Sequence, residues 1–103
     1  MFHMGTQVCW RAWLGMGDSS HLSEIDVAEF ASCAAARGWV ERRLSSVSAR
    51  PGLSVFGSVD RGVYRDETPG AAAHFALDPH WAGMDADLVD GRVRWHRAGP
   101  RRR

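Results

Sequence analysis

Apolar positions recur along this 103-residue chain with two different periods, and the change falls near residue 39. Val8, Trp10, Trp13 and Leu14 fall partly on one helical face, so residues 6–15 read as a short helix. Gly15, Gly17, Asp18, Ser19 and Ser20 then read as a loop. Ser23 is placed to cap a second helix, with Glu24, Asp26 and Glu29 in its first turns, where the helix dipole favours negative charge. Val27, Phe30, Ala31 and Ala34 recur at helical spacing, Arg37 falls in the last turn, and Gly38 follows as the stop. Start, period and stop signals agree on a helix over 23–37.

Beyond Trp39 the texture turns to strand. Arg50-Pro51-Gly52 marks a turn, and 53–59 reads as a strand with Leu53, Val55 and Val59 on one face. Asp60-Arg61-Gly62 reads as a turn, with Val63-Tyr64-Arg65 returning as a hairpin arm. Thr68-Pro69-Gly70 breaks the chain again, and residues 71–77 fit a helical turn or a strand equally. Asp90-Gly91 between 87–89 and 92–97 is a favoured two-residue hairpin connection, because both central positions need positive φ. On its second arm Val93 and Trp95 point one way, and Arg92, Arg94 and His96 the other. The predicted fold is α+β, with two N-terminal helices packed on an antiparallel sheet of four to five strands. Residues 1–98 form one domain and 99–103 a basic tail. The expected core is Trp10, Trp13, Val27, Phe30, Ala34, Trp39, Val55, Val59, Leu88, Val93 and Trp95.

Composition supports a packed domain, at 45% hydrophobic and 24% charged residues. All thirteen basic residues are arginine, and the chain has neither Lys nor Asn, a bias that points to a high-GC bacterial genome. Net charge is +1 but uneven: residues 1–91 hold seven arginines against twelve acids, whereas residues 92–103 hold six arginines and no acid. Such a body does not resemble a wholly basic nucleic-acid binder. Two cysteines, Cys9 and Cys33, give no disulfide framework and no thiolate zinc motif. The N-terminal residues lack the layout of a signal peptide and no apolar run is long enough to span a bilayer. The expected compartment is therefore the cytoplasm.

Three groups of residues, and one family resemblance beside the first, bear on chemistry. Arg92, Arg94 and His96 form a basic stripe continued by Arg97 and by Arg101, Arg102 and Arg103, suited to phosphate contact. The run A-A-A-R-G-W-V-E-R-R after the predicted helix, followed by strand signals, resembles the junction of recognition helix and wing in winged-helix regulators, over residues 23–59. That resemblance implies DNA-binding transcription regulation, with Arg37, Arg42, Arg43, Arg50 and Arg61 on the backbone. The helix departs from the pattern by offering Glu24, Asp26 and Glu29 where base-reading side chains are expected. The second group is His74, Asp78 and His80, which have the donor types of a divalent-metal site; on a helix His74 and Asp78 would share a face, as in a small metal-dependent hydrolase. The third is Asp85-Ala-Asp-Leu-Val-Asp-Gly91, which lacks the spacing of a calcium loop.

Both cysteines sit among apolar residues, and there is neither a nucleophile-elbow motif nor a Gly-rich phosphate loop. The leading expectation is a small regulatory or binding protein with no cofactor, contacting nucleic acid through Arg42, Arg43, Arg50, Arg92, Arg94 and Arg97. The alternatives are a homodimeric protein-interaction module and the metal-dependent hydrolase.

Overall fold

The computed structural model describes residues 7–18, 21–47, 54–65, 74–78, 81 and 83–97. In chain order the elements are β1 (Gln7–Gly17), β2 (Leu22–Phe30), α1 (Cys33–Ser46), β3 (Ser54–Arg65), β4 (His74–Leu77), β5 (Met84–Val89) and β6 (Arg92–Arg97). The strands form one antiparallel sheet in the order β2-β1-β3-β5-β6, with β4 also paired to β3. β4 and β5 share one edge of β3: β4 faces residues 62–65 and β5 faces residues 56–59. The Asp78 amide donates to the Arg61 carbonyl at 2.9 Å and extends the first pairing by one residue. The two strands are thus halves of one long partner to β3, interrupted between Asp78 and Met84.

The expected pair of N-terminal helices on a four-to-five-stranded sheet is overturned: one helix and six strands are present among the described residues. Residues 7–17 are a central strand, not a helix. β1 buries Ala12 and Leu14 on one face and half-buries Trp13 on the other, so its apolar residues run along both faces and the period is blurred. Residues 23–37 are β2 and the first turn of α1. β2 is an edge strand that sends Asp26 and Phe30 toward the helix and Val27 and Glu29 away from it, so its alternation is not one of hydrophobicity. The real helix cap is Ser32, in extended conformation, whose Oγ accepts the Ala35 N–H at 3.1 Å. Gly38 lies inside the helix and does not end it. Asp60-Arg61-Gly62 is no turn either; these residues pair with Arg11, Trp10 and Cys9 inside β3. The last hairpin forms as its sequence predicts, with Asp90 at φ 52° and Gly91 at φ 76°. The turns at 50–52 and 68–70 and the tail at 99–103 lie outside the described residues.

β2 and β3 flank β1, and both run antiparallel to it, so the connection between them must pass over one face of the sheet. α1 makes that crossing. Ala36, Val40 and Leu44 recur every four residues and settle on Ala12 and Leu14 of β1, Val55 and Val59 of β3 and Ala86 of β5. Gly57 lets the helix in: a Cβ there would stand 2.3 Å from Val40 Cγ1. Arg43 pairs with Asp26 at 2.9 Å on the β2 side, and Trp95 Nε1 donates to Glu41 at 3.0 Å on the β6 side. Of the expected core, Val55 and Val59 are buried, and Trp10, Phe30, Trp39, Val93 and Trp95 pack partly against it. Trp13 and Val27 occupy the opposite face, Leu88 is partly exposed and Ala34 is exposed. Among the described residues no helix is long and apolar enough to cross a membrane.

Candidate functional site

Helix α1 covers one face of the sheet, and strand alternation carries a second set of side chains to the other. The pairing register aligns that set in three rows. The central row runs Val27, Trp13, Ser58, Asp85, His96 across five strands. On one side of it lie Glu29, Arg11 and Asp60; on the other lie Glu24, Gly15, Phe56, Asp87 and Arg94. Between Leu14 and Gly15 the β1–β2 register slips, leaving Ile25 unmatched, and such a bulge bends and twists a hairpin. The uncovered face encloses a solvent-open basin of about 1160 Å³, with Trp13, Phe56, Ser58, Asp60 and Asp85 in its lining.

Two glycines shape this face. Trp13 lies over Gly15, where an added Cβ would meet the indole ring at 1.9 Å, and Phe75 lies over Gly62 in the same way at 2.3 Å. Glycine thus leaves each ring room to lie along the sheet. Trp13 is pinned at its other end, where Nε1 donates to Glu24 Oε1 at 3.0 Å.

One wall is a closed polar network. Arg11 donates to Glu29 Oε2 from Nε at 3.3 Å and from Nη2 at 3.0 Å, and its guanidinium lies 3.9 Å from the centre of the Phe75 ring. The Tyr64 hydroxyl donates to Glu29 Oε2, and the Tyr64 ring meets Phe75 edge-on at 5.7 Å. The bond from Tyr64 holds the Glu29 carboxyl below its ordinary value of 4.5, helped by Arg11 against the opposing effect of burial. The same bond pushes Tyr64 above its ordinary value of 10.0. Burial works against the Arg11 charge, but its bonds to Glu29 and Tyr64 prevail and raise it.

These shifts set a pH window. Glu29's contribution to stability is complete above pH 4.5 and is lost as pH falls through its lower folded value. Tyr64's contribution is complete below pH 10.0 and is lost as pH rises through its higher folded value. Tyr64→Phe keeps the ring and removes the hydroxyl. Because the network is partly solvated, the variant is expected to lose under about 1 kcal/mol at pH 7. Urea denaturation across pH should show the two proteins converging above pH 10 and below pH 4.5; a gap of constant size would contradict the network.

The residues singled out from sequence are dispersed. Arg43 sits on the β2 side of the helix in its pair with Asp26, and Arg42 is exposed on the helix, its Nη1 3.2 Å from where a Gly38 Cβ would stand. Arg92 and Arg94 lie at the far sheet edge on the uncovered face, Arg94 Nε 3.7 Å from Asp87. Arg97, opposite Met84, falls on the helix side by alternation. Arg50 and His80 lie outside the described residues. His74 and Asp78 lie along an extended segment, so four residues separate them by about 13 Å instead of one helical turn. Asp78 is moreover paired with Arg61. Among the described residues no group of three metal-ligating side chains assembles. Burial, then Glu29, pushes the Cys9 thiol up, away from reactivity.

Arg11, Glu29, Phe56, Ser58, Asp60, Tyr64 and Asp85 line the basin, and none of them belongs to a site expected from the sequence. They share no motif; only the register of four strand pairings brings them together. Comparison with family models, curated proteins and solved structures finds no match to the chain.

Proposed function

We propose that this chain is a non-enzymatic binding protein that holds a small organic molecule in the basin on the uncovered face of its sheet. The observation that carries the reading is the basin itself: about 1160 Å³, with aromatic walls and a few convergent polar groups, the make-up of ligand sites in general.

Binding is favoured over catalysis by the order of the central row. Asp85 stands between Ser58 and His96 in the register, whereas a serine nucleophile needs the imidazole next to it and the carboxylate behind. Binding to nucleic acid draws less support from the placement of the arginines. Arg43 and the pair Arg92 and Arg94 sit toward opposite edges of the sheet, and Arg43 and Arg94 face acids of their own.

The test is a titration followed by amide NMR, using one-ring aromatic molecules that bear an ammonium, a hydroxyl or a carboxylate. At least one should shift the amides of Trp13, Ser58 and Asp85 and the Trp13 indole N–H together. A panel in which none shifts them, or in which shifts gather at Trp39 and Val40 on the helix, would overturn the reading.

A further inference from the structure

We infer that the β6 edge of the sheet is a docking edge, on which an extended acidic segment of a partner protein is added as a further antiparallel strand. Docking there does not depend on what the basin holds.

The two ends of the sheet differ in their backbones. Among the described residues β2 and β6 each have a strand on one side only. An edge of this kind presents unpaired N–H and C=O groups that a further strand can join. The β2 edge is closed to that use. Its ladder slips at Ile25, and the Val27 N–H is already given to Asp26 Oδ1 at 2.9 Å. Arg43 holds the other oxygen of the same carboxylate, also at 2.9 Å. Bulges and charged side chains are common guards against edge pairing. The β6 backbone carries no such block: its register with β5 runs unbroken from Arg92 to Arg97, without Pro or Gly.

The hairpin turn settles which backbone groups β6 leaves open. Positive φ at both Asp90 and Gly91 gives a turn whose flanking residues, Val89 and Arg92, form a hydrogen-bonded pair. Such pairs alternate along an antiparallel ladder, so Arg94 and His96 also turn their backbone groups to β5. The N–H and C=O groups of Val93, Trp95 and Arg97 therefore point to the open side. Trp95 is held in place, with Nε1 donating to Glu41 at 3.0 Å and the Arg37 guanidinium 5.0 Å from the centre of its ring. The edge is thus formed before anything docks, which lowers the cost of binding.

Side chains set the chemistry of the partner. Arg92, Arg94, His96 and Arg97 are exposed, and the strand has no acid. Among the described residues Arg92 and Arg97 make no ion pair, and Arg94 and His96 share Asp87 of β5 at 3.7 and 3.5 Å. Alternation lines up Arg92, Arg94 and His96 on the uncovered face. On an added strand the residues opposite them form the closer, non-hydrogen-bonded pairs, so carboxylates at alternate positions meet the cations at short range. A second β6 would instead bring arginine against arginine. The charges that select an acidic strand thus also reject a copy of this edge.

The experiment titrates the full chain with blocked hexapeptides at pH 7 and low salt, followed by amide NMR and amide exchange. One peptide alternates glutamate and threonine, and one alternates lysine and threonine. Two more are the acidic peptide N-methylated at its threonines or at its glutamates. The acidic peptide should shift and protect the amides of Val93, Trp95 and Arg97, and the lysine peptide should not. Methylation at threonine, whose amides face Val93, Trp95 and Arg97, should abolish binding, and methylation at glutamate should be tolerated. Arg92→Glu with Arg94→Glu, checked for a dispersed native spectrum, should weaken the acidic peptide by about tenfold or more. Failure of the acidic peptide to bind, equal binding of the lysine peptide, retained binding after threonine methylation, or shifts at residues 25–29 of β2 would each overturn the inference. So would a doubled mass of the free chain with Val93, Trp95 and Arg97 protected, which would put a second copy on the edge.

Discussion

Leu14→Ala is expected to lower folding stability by about 2–5 kcal/mol, the range for removing a leucine side chain from a packed core. Leu14 is fully buried in a central strand, beneath the helix residues Val40 and Leu44 that complete the same core. The informative control is Val27→Ala. Val27 belongs to the core expected from the sequence, yet it stands 41% exposed on the uncovered face, so its loss should cost well under about 1 kcal/mol. Denaturant unfolding of the two variants reads directly which face of the sheet is interior. Comparable losses, or a larger loss at Val27, would mean that the helix covers the other side.

The second large effect is expected at Gly57, where helix and sheet approach most closely. A Cβ at this position would lie 2.3 Å from Val40 Cγ1, a distance that real contacts do not reach. Gly57→Ala must push α1 outward or turn Val40 from its packed rotamer, and overpacking of this kind costs about 1–3 kcal/mol. The penalty falls on the contact between α1 and β3, so the double variant Gly57→Ala with Val40→Ala should recover part of the loss in a thermal unfolding comparison. Strictly additive losses would show that Val40 does not lie against Gly57.

The sequence displayed its last third well and its first third poorly, and the reasons are local. Asp90-Gly91 specifies its hairpin through backbone φ alone, so no tertiary knowledge is needed. β2 carries Glu24, Asp26 and Glu29, which mimic the acidic first turn of a helix, but here they serve three different neighbours. Glu24 accepts from Trp13, Asp26 pairs with Arg43, and Glu29 pairs with Arg11. Gly38 looks like a helix stop, yet packing of Ala36, Val40 and Leu44 carries the helix through it at a cost of about 1 kcal/mol relative to alanine. Arg61 and Gly62 read as turn residues, although Gly62 lies under the Phe75 ring in mid-strand.

The candidate site was hidden for a different reason. Ser58, Asp85 and Trp13 are separated by dozens of residues and meet only through the pairing of β1, β3 and β5. Single-chain patterning shows that a residue points to one face or the other; it does not show which residue stands beside it. The basic residues cluster in sequence, and the sheet distributes Arg43 and Arg92 toward opposite edges.

The most direct test of the account is to find where a bound probe sits. Intermolecular NOEs should be recorded from the ring protons of the tightest-binding one-ring aromatic molecule of the panel to the aromatic side chains of the full chain. The expected result is contact with Trp13 and Phe56 on the uncovered face, and none with Trp39 or Trp95 on the helix side. Contacts to Trp39 or Trp95, with Trp13 silent, would contradict it.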